Sequence, residues 1–500
     1  MTLVPSLFLL LGCPATPDSS SDSAPVTDST ASDSADSQVG DSGDTGSAST
    51  VYDFVGGPSD AAGNAVALPG DLDGDGVPDV VVAAYYGNRV CAYSGALLLA
   101  GDERRTLDTA ELCWKGAGSY DFSGYDIHGA GDVDGDGRED LIVGAIGDGT
   151  NGSNAGRAWI LPGADLSGPA EIQFADAATG SLLGEYSSDY AGVAVTGGMD
   201  LTGDGVDDYI VGASGNDAGG AGGGKAYLCP GPIVGEQELS SCTTQFLGLP
   251  ITPPATPPPP HGGYGGGDAV GNAVTMPGDI DGDGIPDIAL GASGADEQGP
   301  STGKVVVYYG PVSDEQHYIT DADLSLIGPQ QYSYAGSPVL APGDVDADGY
   351  ADLFISADGL NNGTLILVHG GVAGPPNESR SLGDELTAFT GEATDDQAGY
   401  AATAGDIDGD GHIDVIIGAP ANDRAGDSSG TAYIEFGPFG DGSQSLADAA
   451  RILTGEQVAD AYGHAMASGS DVDGDGRDNL LVGAIYNDDG GAFSGKAYLY

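Results

Sequence analysis

Residues 71–79 read DLDGDGVPD, and nearly the same phrase returns six more times. It returns as DVDGDGRED (132–140), DLTGDGVDD (200–208), DIDGDGIPD (279–287), DVDADGYAD (344–352), DIDGDGHID (406–414) and DVDGDGRDN (471–479). A phrase recurring every roughly 60–80 residues marks stacked or radially arranged units rather than one continuous core. Each copy is framed alike. A small-residue segment with a glycine precedes it, as in SDYAGVAVTGGMD, and a β-branched run follows, as in LIVGAI, YIVGAS and VIIGAP. A glycine-led segment comes next (GRAWILPG, GKAYLCPG, GKVVVYYG, GKAYLY), then a short fourth one (ELCWKG, AEIQFA, TTQFLG, LSLIG, LTAFTG, RILTG). Short β runs between glycine turns, with no helical period, predict an all-β chain.

Four strands per unit and seven units predict a seven-bladed β-propeller of four-stranded blades, spanning residues 50–500. The last unit stops at its third strand, residues 495–500, while TVYDFVGG (50–57) stands as an orphan fourth strand before the first unit. Pairing the two closes the ring and hides a sheet edge. A parallel β-helix would need shorter rungs.

Each acidic loop offers oxygen ligands at positions 1, 3, 5 and 9 and a backbone carbonyl at position 7. Position 1 is Asp71, Asp132, Asp200, Asp279, Asp344, Asp406 and Asp471. Position 3 is Asp73, Asp134, Thr202, Asp281, Asp346, Asp408 and Asp473, and position 5 is Asp75, Asp136, Asp204, Asp283, Asp348, Asp410 and Asp475. Position 9 is Asp79, Asp140, Asp208, Asp287, Asp352, Asp414 and Asn479. The carbonyls at position 7 belong to Val77, Arg138, Val206, Ile285, Tyr350, His412 and Arg477. Hard, charged oxygens in a flexible turn suit Ca²⁺, up to seven ions in all, whereas softer metals call for Cys or His, which the loops do not offer as side-chain ligands. Thr202 and Asn479 each remove one charge, so loops three and seven are expected to hold calcium most weakly.

These units resemble FG-GAP repeats, as in the N-terminal propeller of integrin α chains. The glycine lead, the Asp-rich loop and the Gly-Ala-Pro position, complete at Gly418-Ala419-Pro420, carry the resemblance. It implies a calcium-loaded propeller that presents loops to a protein ligand, and all seven units carry the loop here, as in bacterial members of that family. The loop also resembles the first nine positions of an EF-hand loop, without its glutamate at position 12 and without flanking helices.

The chain carries 76 acidic and 13 basic residues, a formal charge of −63. That excludes nucleic acid and a polybasic grip on anionic lipid. Hydrophobic residues at 40% argue against a chain disordered throughout.

The five cysteines are Cys13, Cys91, Cys113, Cys229 and Cys242. MTLVPSLFLLLGC resembles a bacterial lipobox, which implies a signal peptide over 1–12 and lipidation at Cys13, although no basic residue precedes the apolar run. Residues 13–49 read as an acidic Ser/Asp/Thr tether. The reading is an envelope protein at the outer membrane or cell surface, attached to the membrane through its lipid alone. The other cysteines form two local pairs on successive strand-like segments, disulfides in an oxidising compartment or else buried thiols. Residues 249–267, LPITPPATPPPPHGGYGGG, are a Pro/Gly-rich insertion, a spacer or a protruding contact loop.

No catalytic motif emerges: there is no Gly-x-Ser-x-Gly, no His-Glu-x-x-His and no phosphate-cradling loop. Gly40-Asp41-Ser42-Gly43 lacks a fixed histidine. The expected role is therefore binding, to an extracellular protein or glycan. The alternatives are a carbohydrate- or lipid-active enzyme and a self-associating envelope protein.

Overall fold

The computed structural model describes residues 52–500, except 102–103, 119, 250–266, 361, 372–373 and 376. The leader, Cys13, the tether and nearly all of the Pro/Gly-rich insertion lie outside the described residues.

Seven sheets, each built on four antiparallel strands, are arranged as blades around an axis. In blade one the chain runs Ala62–Gly70, Asp79–Ala84, Arg89–Tyr93 and Leu112–Lys115 from the inside outward. The inner strands of successive blades contact one another around the ring, and the inner strand of blade seven, Tyr462–Ala467, contacts that of blade one. The second strands are buried along their whole length, as Asp79–Ala84 and Asp140–Ala145 are. Sandwiched between neighbouring blades, they read as continuous apolar runs instead of alternating ones. One apolar cluster joins Phe354, Leu365 and Phe389 of blade five to Val415, Ile417 and Tyr433 of blade six, so the core lies between blades.

The Gly-Ala after each acidic loop has a steric cause. Were Gly144 to carry a Cβ, it would lie 2.0 Å from the carbonyl oxygen of Gly192 in blade three. Gly212, Gly291, Gly418 and Gly483 face a glycine of the following blade in the same way. The motif is absent in blades one and five, where Ala83 and Ser356 stand instead and meet Gly124 and Gly399. Adjacent blades thus touch backbone to backbone.

Ring closure is as expected. Tyr52–Val55 pairs antiparallel with Lys496–Leu499, with Phe54 opposite Ala497 and Val55 opposite Lys496. The first strand of the chain thereby becomes the outer strand of the last blade.

The blades also hold strands that the repeat pattern hides. AEIQ is not the fourth strand of blade two: Gly180–Leu183 holds that place, antiparallel to Arg157–Leu161. Ala170–Gln173 instead crosses to blade one and pairs parallel with Leu112–Lys115. The same loan recurs. Gly235–Glu238 extends blade two, Gln316–Tyr318 blade three, Glu378–Ser381 blade four, Gly442–Ser445 blade five and Arg104–Thr106 blade seven. Each four-stranded blade except the sixth thus gains a fifth, parallel strand from the next repeat. Among the described residues the outer strand of blade six, Arg451–Thr454, has no such neighbour.

Both cysteine pairs are disulfides. Cys91 lies directly opposite Cys113 on the third and fourth strands of blade one. Cys229, at the end of the third strand of blade three, joins Cys242, which precedes the fourth.

Candidate metal centres

The acidic loops join the first and second strands of each blade, so all seven open on one face of the disc. Loop one shows how the chain holds itself. Asp71 accepts hydrogen bonds from the N–H groups of Gly74 (2.7 Å), Asp75 (3.1 Å) and Gly76 (2.8 Å). Asp73 accepts from Asp75, and Asp75 accepts from Val77. The path needs positive φ at Gly74 (78°) and Gly76 (91°), which glycine adopts without strain. Asp79 is buried and ties the loop down: its Oδ2 accepts from Leu72 (2.8 Å) and its Oδ1 from Gly95, the first residue of the short helix after the third strand (3.0 Å).

Position 1 repeats this pattern in every loop, with Asp132, Asp200, Asp279, Asp344, Asp406 and Asp471 each accepting from the position-6 amide. Position 5 accepts from the position-7 amide in all seven, so Asp136 binds Arg138, Asp204 Val206, Asp283 Ile285, Asp348 Tyr350, Asp410 His412 and Asp475 Arg477. Position 9 is buried throughout, at Asp140, Asp208, Asp287, Asp352, Asp414 and Asn479. Carboxylate oxygens of Asp71, Asp73 and Asp79 lie within 4.8 Å of one another, as do those of Asp279, Asp281 and Asp287, and of Asp132, Asp134 and Asp136. Such convergence of acceptor-only oxygens fits a hard divalent cation.

Departures from the consensus are accommodated locally. Asn479 keeps the tying role, its side-chain oxygen accepting from Val472 (2.6 Å) while its amide donates to Tyr500 O (2.9 Å). Thr202 turns its hydroxyl to Asp208 (3.4 Å). Ala347 takes the place of a glycine at φ 61°. An alanine held there costs about 1–2 kcal/mol, partly offset by the freedom glycine gains when unfolded. Ala347→Gly is therefore expected to raise stability by roughly 0.5–1 kcal/mol, read as a rise in the urea midpoint.

Burial raises the pKa of the loop-tying carboxylates, pushing Asp79 and Asp287 to about 7 and Asp140 to about 6 against the pull of their amide donors. Burial acts the same way on three carboxylates outside the loops, Asp126 (to about 6), Asp268 (to about 6) and Asp358 (to about 7). A raised pKa means the folded chain holds protons that the unfolded chain has released. The stability this adds is complete below the ordinary value of 3.8 and is lost as the pH climbs through the folded values, up to about 7. The metal-free protein is accordingly expected to melt higher at about pH 5 than at about pH 8, measured by circular dichroism. A profile that is flat or rises with pH would count against the assignment.

Sequence reasoning missed a second repeated device. The third strand often opens with a cation that is buried: Arg157, Lys225, Lys304 and Lys496. Lys496 Nζ lies 2.9 Å from Asp53, 3.2 Å from Glu456 and 3.2 Å from Asp489, and 4.4 Å from the ring centre of Tyr498. Arg157 donates to Asp148 and Glu236 beneath Trp159, and Lys225 to Glu185 beside Tyr227. The signal was in the sequence as Gly-Arg/Lys-Ala-aromatic, in GRAW and twice in GKAY. A carboxylate before the inner strand also recurs: Asp60, Asp121, Asp189, Asp396 and Asp460 each accept the amide three residues earlier. His464 packs against Tyr400 with ring centres 5.1 Å apart and planes tilted by 36°, and burial lowers its pKa to about 4, so the imidazole is neutral.

Fold and loops together define a seven-bladed β-propeller with an acidic loop in every blade. The FG-GAP repeat profile matches it at residues 62–99, 123–161, 271–308 and 398–434, so the chain carries FG-GAP repeats. It is homologous to integrin α chains. It is 31% identical over 230 residues to integrin alpha-PS2 of Drosophila melanogaster, a stretch that is 42% of this chain and 15% of the fly protein. It is 31% identical over 217 residues to integrin alpha-V of Gallus gallus, 42% of this chain and 19% of the relative. A phosphatidylinositol-glycan-specific phospholipase D of Dictyostelium discoideum is 26% identical over 196 residues, 35% of this chain and 20% of the relative. The chain thus corresponds to a small part of each of these relatives.

Proposed function

We propose that this protein is a calcium-loaded recognition module of the cell surface, which binds an extracellular protein or glycan and is held to the membrane by a lipid at Cys13. The observation that carries the binding role is an aromatic patch on the face opposite the acidic loops. That face is formed by the turns after the second strands and the connections between blades. Tyr85 stacks on Tyr86 at 4.2 Å, and Phe122 sits 6.1 Å from Tyr86 and 6.3 Å from Tyr120. Tyr486 and Phe493 of blade seven pair edge-on at 6.0 Å. Tyr86, Tyr120 and Phe493 are 40, 74 and 58% exposed. Exposed aromatics clustered in this way are the usual anchors of recognition surfaces. The acidic loops on the other face clasp the blades and leave this one free to bind.

The homology to integrin α chains supports a surface role. A recess between blades one and two is lined by Arg157, Trp159, Phe174 and Glu236. Its guanidinium is already bonded to Asp148 and Glu236, which supports binding over catalysis. No helix among the described residues is long and apolar enough to cross a membrane.

Capture from glycan arrays and from cell-envelope fractions, with calcium and with chelator, tests this reading. Saturable capture that Tyr86→Ala and Phe493→Ala abolish together would establish it, and capture indifferent to both would overturn the assigned face. Calorimetric titration of the metal-free protein is expected to show the strongest binding at loops with four carboxylates and the weakest at loops three and seven. Seven equal sites would refute that order.

A further inference from the structure

Loop five differs from its sisters in one respect that its own residues do not reveal. The third strand of blade five, Thr364–Val368, is followed by His369 and Gly370, and the Gly370 amide donates to Asp352 Oδ1 (2.8 Å). His369 Nδ1 thereby lies 3.2 Å from Asp346 Oδ2 and 3.5 Å from Asp352 Oδ1. That nitrogen is shut off from water and has no hydrogen-bond partner. The three donor atoms lie within 4.8 Å of one another. At that distance an imidazole aligned on a carboxylate would make a hydrogen bond. No such bond forms here, and the three donor atoms stand close enough to share one ion. The residue before the corresponding glycine is Ser94, Pro162, Pro230, Tyr309 or Phe436 in the other blades, and none of these offers a nitrogen.

We propose that loop five is a site for a borderline divalent ion of the Zn²⁺ class, held by Asp346, Asp352 and His369, and distinct from the calcium sites of the other loops. Imidazole nitrogen is a preferred ligand for zinc and its neighbours, whereas calcium sites are built from oxygen. Asp352 is already oriented as a ligand. The amides of Val345 and Gly370 fix its two oxygens from behind, as outer-shell donors orient metal ligands. The three side chains leave a fourth position for water or for the exposed Asp348.

The inference rests on the reading that the loops hold cations, and the test separates the two. The whole chain is stripped of metal, saturated with calcium, and titrated with Zn²⁺, with Co²⁺ as the optical probe. The unmodified protein is expected to take one zinc that calcium does not displace, with Co²⁺ absorption typical of nitrogen ligation. His369→Phe places in blade five the residue that blade six carries at Phe436, so the fold should tolerate it. It is expected to lower zinc affinity at least about tenfold and leave calcium uptake elsewhere unchanged. Calcium uptake with no retained zinc, or retention undiminished in His369→Phe, overturns the inference and leaves His369 as an ion-pair partner. Absence of calcium uptake at any loop overturns the broader reading instead.

Discussion

Replacing Phe54 by alanine is expected to cost about 3–5 kcal/mol of folding stability, a large part of what holds a domain together. Phe54 lies on Tyr52–Val55, the strand that pairs with Lys496–Leu499 and closes the ring. It is fully buried, pairs with Ala497 in blade seven, and packs on Tyr93 of blade one at 4.6 Å. Its loss opens a void at the joint where the ring shuts. Lys496→Met should act at the same joint by another route. It strips the cation from Asp53, Glu456 and Asp489 and leaves three acids facing one another, at a cost of about 3 kcal/mol given that these carboxylates keep partial contact with water. The two substitutions touch neighbouring strand positions, so their effects should not add. Urea unfolding followed by circular dichroism measures both. Leu386→Ala, at a residue 66% exposed, is the control and should shift stability by less than about 0.5 kcal/mol. A Phe54→Ala midpoint equal to that of the unmodified chain would mean that the ring does not depend on its closing strand.

Removing calcium is expected to have the larger effect. An extracellular site with a dissociation constant on the order of 10⁻⁴ M adds roughly 1.4 kcal/mol at about 1 mM calcium by mass action. Six such sites, with loop five set aside, reach on the order of 10 kcal/mol, comparable to the whole stability of a domain. The carboxylates explain the dependence. In loops one and four, position 9 (Asp79 and Asp287) is buried beside other acids, and without a cation its ionised form has only backbone amides to oppose the cost of burial. A melting scan in chelator should therefore show a large fall in Tm at neutral pH, restored by calcium. An unchanged Tm would rule out the loops as structural clasps.

Much of this was legible in the sequence because the repeat wrote it seven times. The acidic phrase located the first turn of each blade, and the orphan TVYDFVGG announced the closure that Tyr52–Val55 makes. Both disulfides joined neighbouring segments as their spacing suggested. Other features were hidden because their partners lie in different repeats. AEIQ has the alternation of a strand, but only the fold shows that it pairs with Leu112–Lys115 of the preceding blade. The buried Lys496 carried a visible Gly-Lys-Ala-Tyr signal, yet its three acids come from residues far apart in the chain. His369 stands outside loop five by sequence and joins it only because the third strand returns to the same face. Pattern within a repeat could be read directly, while contact between repeats required the ring.

The borrowed fifth strand makes the seams of this disc unequal. Wherever Arg104–Thr106, Ala170–Gln173 or one of their counterparts crosses to the preceding blade, prising two blades apart must also break a ladder of main-chain hydrogen bonds. Between blades six and seven, among the described residues, no such strand crosses the gap, and the joint rests on scattered main-chain bonds, such as Tyr462 N–H to Ser429 O (3.0 Å) and Asp478 N–H to Asp406 O (2.9 Å), and on side chains such as the Lys496–Glu456 pair. Under heat or tension the disc should part there first, like a collar at its clasp. Amide exchange would register this as early exposure of Arg451–Thr454 while the remaining outer strands stay protected.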